Sequence, residues 1–139
     1  MQLEACPVPI YGDTAWRGKC PKEEVEQISF FNRLRSEYPD SYGLIALHPR
    51  NEGLKRAGQF SAVIKHAAEG MAKGAADIVI PGSPSFVCEM KRRDHTQSAW
   101  QDGQQAYLAA SLKAGAFTCI ALGAEAAWTA LGVWLLGNA

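Results

Sequence analysis

Residues 77–94 read DIVIPGSPSFVCEMKRRD: an apolar run opened by Asp77, a Pro-Gly turn, a second apolar run, and a break into charge at Glu89, Lys91, Arg92, Arg93 and Asp94. Short, turn-bounded runs rich in Ile, Val and Phe are strand signals. Ile78–Ile80 and Phe86–Met90 are therefore expected to pair as an antiparallel hairpin. Alternation along a strand sends Phe86, Cys88 and Met90 to one face and Val87, Glu89 and Lys91 to the other. The first set belongs in a core. The second sets a carboxylate and an ammonium against a low-dielectric wall, which is costly unless the charges are paired or used. Pairing through the turn brings Asp77 beside Glu89. Two carboxylates with the backbone carbonyl of Met90 between them suit a hard cation such as Mg²⁺, which keeps several waters and reaches for a substrate phosphate. Lys91 lies about 7 Å beyond Glu89 on the same face. From there it can orient a water or stabilise charge on a cleaved phosphodiester.

Outward from this hairpin, an amphipathic helix is expected over 22–37, with Val25, Ile28, Phe31 and Leu34 recurring every three residues and Pro39 as the stop. Glu23, Glu24 and Glu26 crowd its first turns, where carboxylates favour the helix dipole. Glu24 shares the stripe of Ile28 and Phe31 and is expected to point inward. The run LIALH, 44–48, reads as a first strand, 49–58 as a basic loop and 60–70 as a short helix. A helix over 98–113 stops at Gly115, with Gly103 weakening its start. A strand over 117–122 and a helix over 124–136 close the chain. Trp128 and Trp134 on that last helix read as core or dimer packing. The order α-β-(α)-β-β-α-β-α is an α/β fold, and the helix between Phe86–Met90 and 117–122 implies that those strands run parallel. Residues 1–20, with Pro7, Pro9, Gly12 and Gly18, read as an irregular arm ahead of a single domain over 21–139.

Composition narrows the function classes. The 139 residues are 47% hydrophobic and 20% charged, a globular balance, and fit one domain. Fourteen basic residues against fourteen acidic ones leave no overall positive field, so a nucleic-acid partner would have to be held locally. No secretory leader and no membrane-length apolar run is evident, which points to a cytoplasmic protein without a membrane partner. Cys6, Cys20, Cys88 and Cys119 are too widely spaced to suggest a zinc site or a disulfide framework. A phosphate-cradling glycine loop and a nucleophile elbow are both missing, which disfavours a small-molecule enzyme.

Asp77 followed by Glu89, Met90 and Lys91 resembles the signature of the PD-(D/E)XK nuclease superfamily, with Ala76 where the superfamily has proline. EVEQ in the first helix, HPRNEG, KGAADIVIPG, FVCEMKRR and QQAYLAASLKAGA occur in the order and approximate spacing of its VRR-NUC group, in particular its stand-alone phage and bacterial members. The resemblance spans residues 22–122 and leaves the arm unmatched. It implies a restriction-endonuclease-like core, a small mixed sheet flanked by helices. It also implies a Mg²⁺- or Mn²⁺-dependent DNA endonuclease, a homodimer acting on branched DNA such as Holliday junctions or flaps. Asp77, Glu89 and the Met90 carbonyl would be the metal ligands and Lys91 the charge stabiliser. Glu24 matches the family glutamate three before Gln27. Gln104, eleven before Gly115, matches the helix glutamine that holds the scissile phosphate or the attacking water, with Gln101 and Gln105 as competitors. His48 and Asn51 are also matched. Arg50, Lys55, Arg56 and Lys65 form a local basic patch with Asn51, and Arg92 and Arg93 are further candidate phosphate contacts. The rival reading is a DNA-binding or recombination-accessory protein that keeps the fold without turnover.

Overall fold

The computed structural model of the chain describes residues 1–49 and 60–137. Four strands form one mixed sheet: β1 (Ile10–Tyr11), β2 (Ile78–Ile80), β3 (Phe86–Lys91) and β4 (Phe117–Leu122), in the order β1-β4-β3-β2. Helices α1 (Glu23–Glu37), α2 (Tyr42–Ile45), α3 (Phe60–Ala68), α4 (Gln104–Lys113) and α5 (Ala124–Gly137) surround it. β2 and β3 pair antiparallel with Ile78 opposite Cys88 and Ile80 opposite Phe86, the hairpin expected from the turn-bounded runs. β3 and β4 run parallel across α4, as a crossover connection requires.

Alternation divides the sheet into two apolar layers. Ile78, Ile80, Phe86, Cys88, Met90, Cys119 and Ala121 face α1 and α5, where Phe30, Phe31, Leu34, Leu131 and Trp134 complete one core. Val87, Ile120 and Leu122 face the other way, toward Leu108 of α4, Ala76 and Val8. Trp134 is a core residue, donating its indole N–H to the Pro84 carbonyl (2.9 Å), and Trp128 packs edge-on to Phe30.

The structure corrects four local expectations. LIALH is not a strand: the chain makes the helical turn α2 and adds to the sheet a single bridge, Leu47 to Val79. Gly43 explains the bend, because its N–H binds the Tyr38 carbonyl (2.8 Å) so closely that a Cβ there would strike the end of α1. The helix expected from residue 98 begins at Gln104. Gly103 stands ahead of it at φ +89°, and residues 98–103 are irregular apart from the end of a 3₁₀ turn at His95–Gln97. The fourth strand of the sheet comes instead from the N-terminal residues, where β1 pairs parallel with β4. Along α1 the buried residues are Phe30, Phe31 and Leu34, whereas Val25 and Ile28 are 50% and 59% exposed, so the inward stripe is rotated from the one the spacing suggested. No helix among the described residues is long and apolar enough to cross a membrane.

Candidate active site

All six residues of β3 are buried, including Glu89 and Lys91. Asp77 sits one step beyond the last β2–β3 pair, which by register puts it opposite Glu89 on the face beneath α4. Its Oδ2 accepts the backbone N–H of Met90 (3.0 Å). The N–H and C=O of a strand residue point to the same side, so the Met90 carbonyl is directed toward Asp77, past the end of the β2 ladder. His48 Nδ1 lies 2.8 Å from the Asp77 carbonyl and braces that strand from the other side.

Gln104, the first residue of α4, connects the two charges of β3. Its Nε2 donates to Glu89 Oε1 (3.0 Å), and its Oε1 accepts from Lys91 Nζ (2.9 Å) and from the backbone N–H of Gln101 (2.9 Å). Donor and acceptor are thereby fixed, since a flipped amide would present NH₂ to the ammonium. Lys91 Nζ also donates to the Ala99 carbonyl (2.8 Å) and lies 5.4 Å from the centre of the Trp100 ring. That carbonyl is free because residues 98–103 are not helical. Gly74, at φ +71°, packs so tightly on Gly103 that a side chain there would collide with its backbone. The approach to Asp77 is thus fastened to the start of the helix that carries Gln104.

Electrostatics single out Glu89. Burial raises its carboxyl well above the ordinary range, Asp77 raises it further by charge and hydrogen bonding, Glu23 adds to the rise, and Lys91 opposes it. Its Oε1 is held by Gln104, but Oε2 is sealed from solvent and accepts from no N–H, its charged neighbour being the Asp77 carboxyl. A buried carboxylate oxygen without a donor is expensive to leave so. No group of three or more His, Cys, Asp and Glu side chains is placed to hold a metal ion among the described residues. The donor set is instead two carboxylates and a backbone carbonyl, all oxygen, which fits an ion that retains much of its water.

Of the glutamates in α1, Glu24 is exposed and makes no hydrogen bond among the described residues, contrary to the inward position expected for it. Glu23 is the one turned to the site, accepting from Ser98 Oγ (2.7 Å). Glu26 accepts the N–H of Ala124 (2.5 Å) and caps α5. One position along a helix turns a side chain by about 100°, and the exposed Val25 and Ile28 had misplaced the inward face. Ser98, the Ala99 carbonyl and Trp100 carried no signal in the sequence: a backbone acceptor has no residue type, and 98–100 read as helix. Arg92 holds the Cys20 carbonyl through one terminal nitrogen (2.6 Å), while Arg93 is exposed and lies 4.2 Å over the Trp16 ring. Arg50, Asn51, Lys55 and Arg56 lie outside the described residues. Lys65 is exposed and forms an i,i+4 pair with Glu69.

No family model matches the sequence, and no curated protein matches it. Among solved structures, a VRR_NUC domain protein superposes with a TM-score of 0.60 at 15% identity, covering 84% of this chain and 88% of that one. The fold is VRR-NUC-like. That nuclease-family fold agrees with the restriction-endonuclease-like core implied by the hairpin and its flanking segments. Ala76, in the place of the superfamily's proline, is fully buried against Val87 and Leu108. It is a packing position, so the departure removes no polar group from the site.

Proposed function

We propose that the chain is a Mg²⁺- or Mn²⁺-dependent endodeoxyribonuclease that hydrolyses phosphodiester bonds in branched DNA, such as Holliday junctions or flaps. The observation that carries this reading is the donorless, buried Oε2 of Glu89 beside Asp77, on a strand whose next inward side chain is a lysine held by a glutamine. Asp77, Glu89 and the Met90 carbonyl would hold the cation. When bound, it supplies Lewis acidity toward a phosphoryl oxygen and lowers the pKa of a coordinated water. Lys91, fixed by Gln104 and the Ala99 carbonyl, offers positive charge to the non-bridging oxygens of the phosphate as attack proceeds. Gln104 keeps Glu89 and Lys91 at a set distance and gives the lysine a neutral partner, so its charge is not cancelled. Glu23, rather than Glu24, is the helix carboxylate suited to orienting a water at the same face.

Arg50, Asn51, Lys55, Arg56, Arg92 and Arg93 are the proposed contacts to DNA, chiefly to phosphates. The preference for branched DNA rests on the family resemblance. A two-fold dimer belongs to the same proposal, because a small chain gains a second active site for a second strand by symmetry. The test is a cleavage panel of four-way junction, flap, splayed arm and linear duplex with Mg²⁺ or Mn²⁺, alongside Asp77→Asn. Metal-dependent products from the native protein, absent from Asp77→Asn and most abundant on branched substrates, are expected. Junction binding without products from any substrate would instead establish the non-catalytic accessory protein.

A further inference from the structure

Where the N-terminal arm meets α1, a cleft of about 570 Å³ opens between the arm and the loop after β3, lined by Gly18, Lys19, Cys20, Pro21, Arg92 and Gln97. Its walls are fastened. Asp94 accepts from Gly18 N (3.2 Å), Thr96 N (3.1 Å), Thr96 Oγ1 (2.6 Å) and Gln97 Nε2 (3.0 Å), and Gln97 Nε2 also donates to the Gly18 carbonyl (2.8 Å). Arg93 stacked on Trp16 pins the arm a third time. The acid at the wall is therefore engaged.

The cations are engaged less fully. Lys19 is exposed, with no hydrogen bond or ion pair among the described residues. Arg92 spends a terminal nitrogen on the Cys20 carbonyl, but its Nε is buried and has no acceptor. A guanidinium on the wall of a cleft whose acid is already engaged suits an anionic oxygen. The cleft shares its loop with the active site: the Arg92 N–H donates to Ser98 Oγ (2.9 Å), which donates to Glu23, and Arg92 directly follows Lys91.

We infer that this cleft is a phosphate subsite, in which the Arg92 guanidinium on its wall and Lys19 at its rim grip a backbone phosphate of the DNA strand flanking the cleaved bond. The inference rests on the nuclease reading and assigns the arm, which the family resemblance left unmatched, a role in holding substrate. Contacts to non-bridging oxygens carry no sequence information, so the subsite contributes affinity and salt dependence on any DNA.

The experiment is fluorescence anisotropy of labelled four-way junction and duplex across a salt series in EDTA, where nothing is cut. Lys19→Ala is expected to weaken binding of both several-fold and to lower the slope of log affinity against log salt by about 0.7 to 0.9, one phosphate contact. Arg92→Lys, with folding checked by thermal melting, keeps the charge, loses the guanidinium fork and is expected to weaken binding as well. Lys113→Ala, at the far end of α4, should change neither quantity. Unchanged affinity and slope in Lys19→Ala, or an equal loss in Lys113→Ala, overturns the subsite. The two readings separate cleanly. A native protein that binds with the Lys19-dependent slope but never cuts refutes the nuclease alone, one that cuts and ignores Lys19→Ala refutes the subsite alone, and one that binds no DNA refutes both.

Discussion

Phe86, Cys88 and Met90 on one face of β3 and Val87, Glu89 and Lys91 on the other are all buried, yet they are buried by different means. The first face meets α1 and α5 through apolar contact, which stabilises the fold in proportion to the area covered. On the second face every charged atom needs a partner, and the partners come from outside the sheet: Gln104 from α4 and the Ala99 carbonyl from the loop. Lys91 is well supplied. Glu89 is left with one oxygen unsatisfied and a carboxyl that burial and Asp77 push upward. A stretch that breaks the rules of folding while its back face obeys them is where the proposed function places its site.

The charged end of β3 is the more easily disturbed. Lys91→Met, which keeps the volume and removes the charge, is expected to reduce cleavage by on the order of 10² to 10³-fold. Single-turnover rates on DNA at saturating protein will show it, and a loss under tenfold would mean the ammonium is only structural. Gln104→Ala is expected to cost about 10 to 100-fold, as supporting partners of such sites do, and to lower divalent-cation affinity at the same time. A rate loss without any change in metal affinity would separate Gln104 from Glu89.

Stability against pH offers a milder contrast. The folded-state carboxyl of Glu89 lies above its ordinary 4.5, so the native state holds that proton more tightly than the unfolded chain. The stabilisation is complete below the ordinary value and is lost as pH rises through the raised one. In EDTA the thermal midpoint should therefore contain a component that falls as pH climbs from the ordinary carboxylate range. Glu89→Gln should remove that component, as superimposable pH profiles of variant and native protein would disprove. At the small end, Ile78→Val on the apolar face, one residue from Asp77, is expected to cost about 0.5 to 1.5 kcal/mol and to leave cleavage as it was. Denaturant unfolding and the same cleavage assay check both halves.

The hairpin was legible because period-two alternation and a proline-glycine turn are local signals, and the same alternation put Asp77, Glu89 and Lys91 on one face. Gln104 was legible only through the resemblance, since nothing about a glutamine on a helix announces that it will bridge a carboxylate and an ammonium. What was missed depended on tertiary context. Four apolar residues and a histidine at 44–48 suit a strand or a turn of helix equally, and the close seat of Gly43 on the end of α1 decided it. Ile10 and Tyr11 form a strand only because the edge of β4 is there to pair with. The exchange of Glu24 for Glu23 is the same lesson at one-residue scale: exposed Val25 and Ile28 imitate a core stripe, and only the packing of Phe30, Phe31 and Leu34 fixes which way the first turn faces.

The most direct measurement is a calorimetric titration of Mn²⁺ into the native protein and into Glu89→Gln, at neutral pH in buffers of different ionisation enthalpy. The native protein is expected to bind the ion with proton release that shrinks as pH rises, because burial and Asp77 raise the Glu89 carboxyl and the ligand form is the carboxylate. Glu89→Gln is expected to show no binding over the same range. Coincident isotherms for the two proteins would contradict the reading of this face of β3 as a cation site.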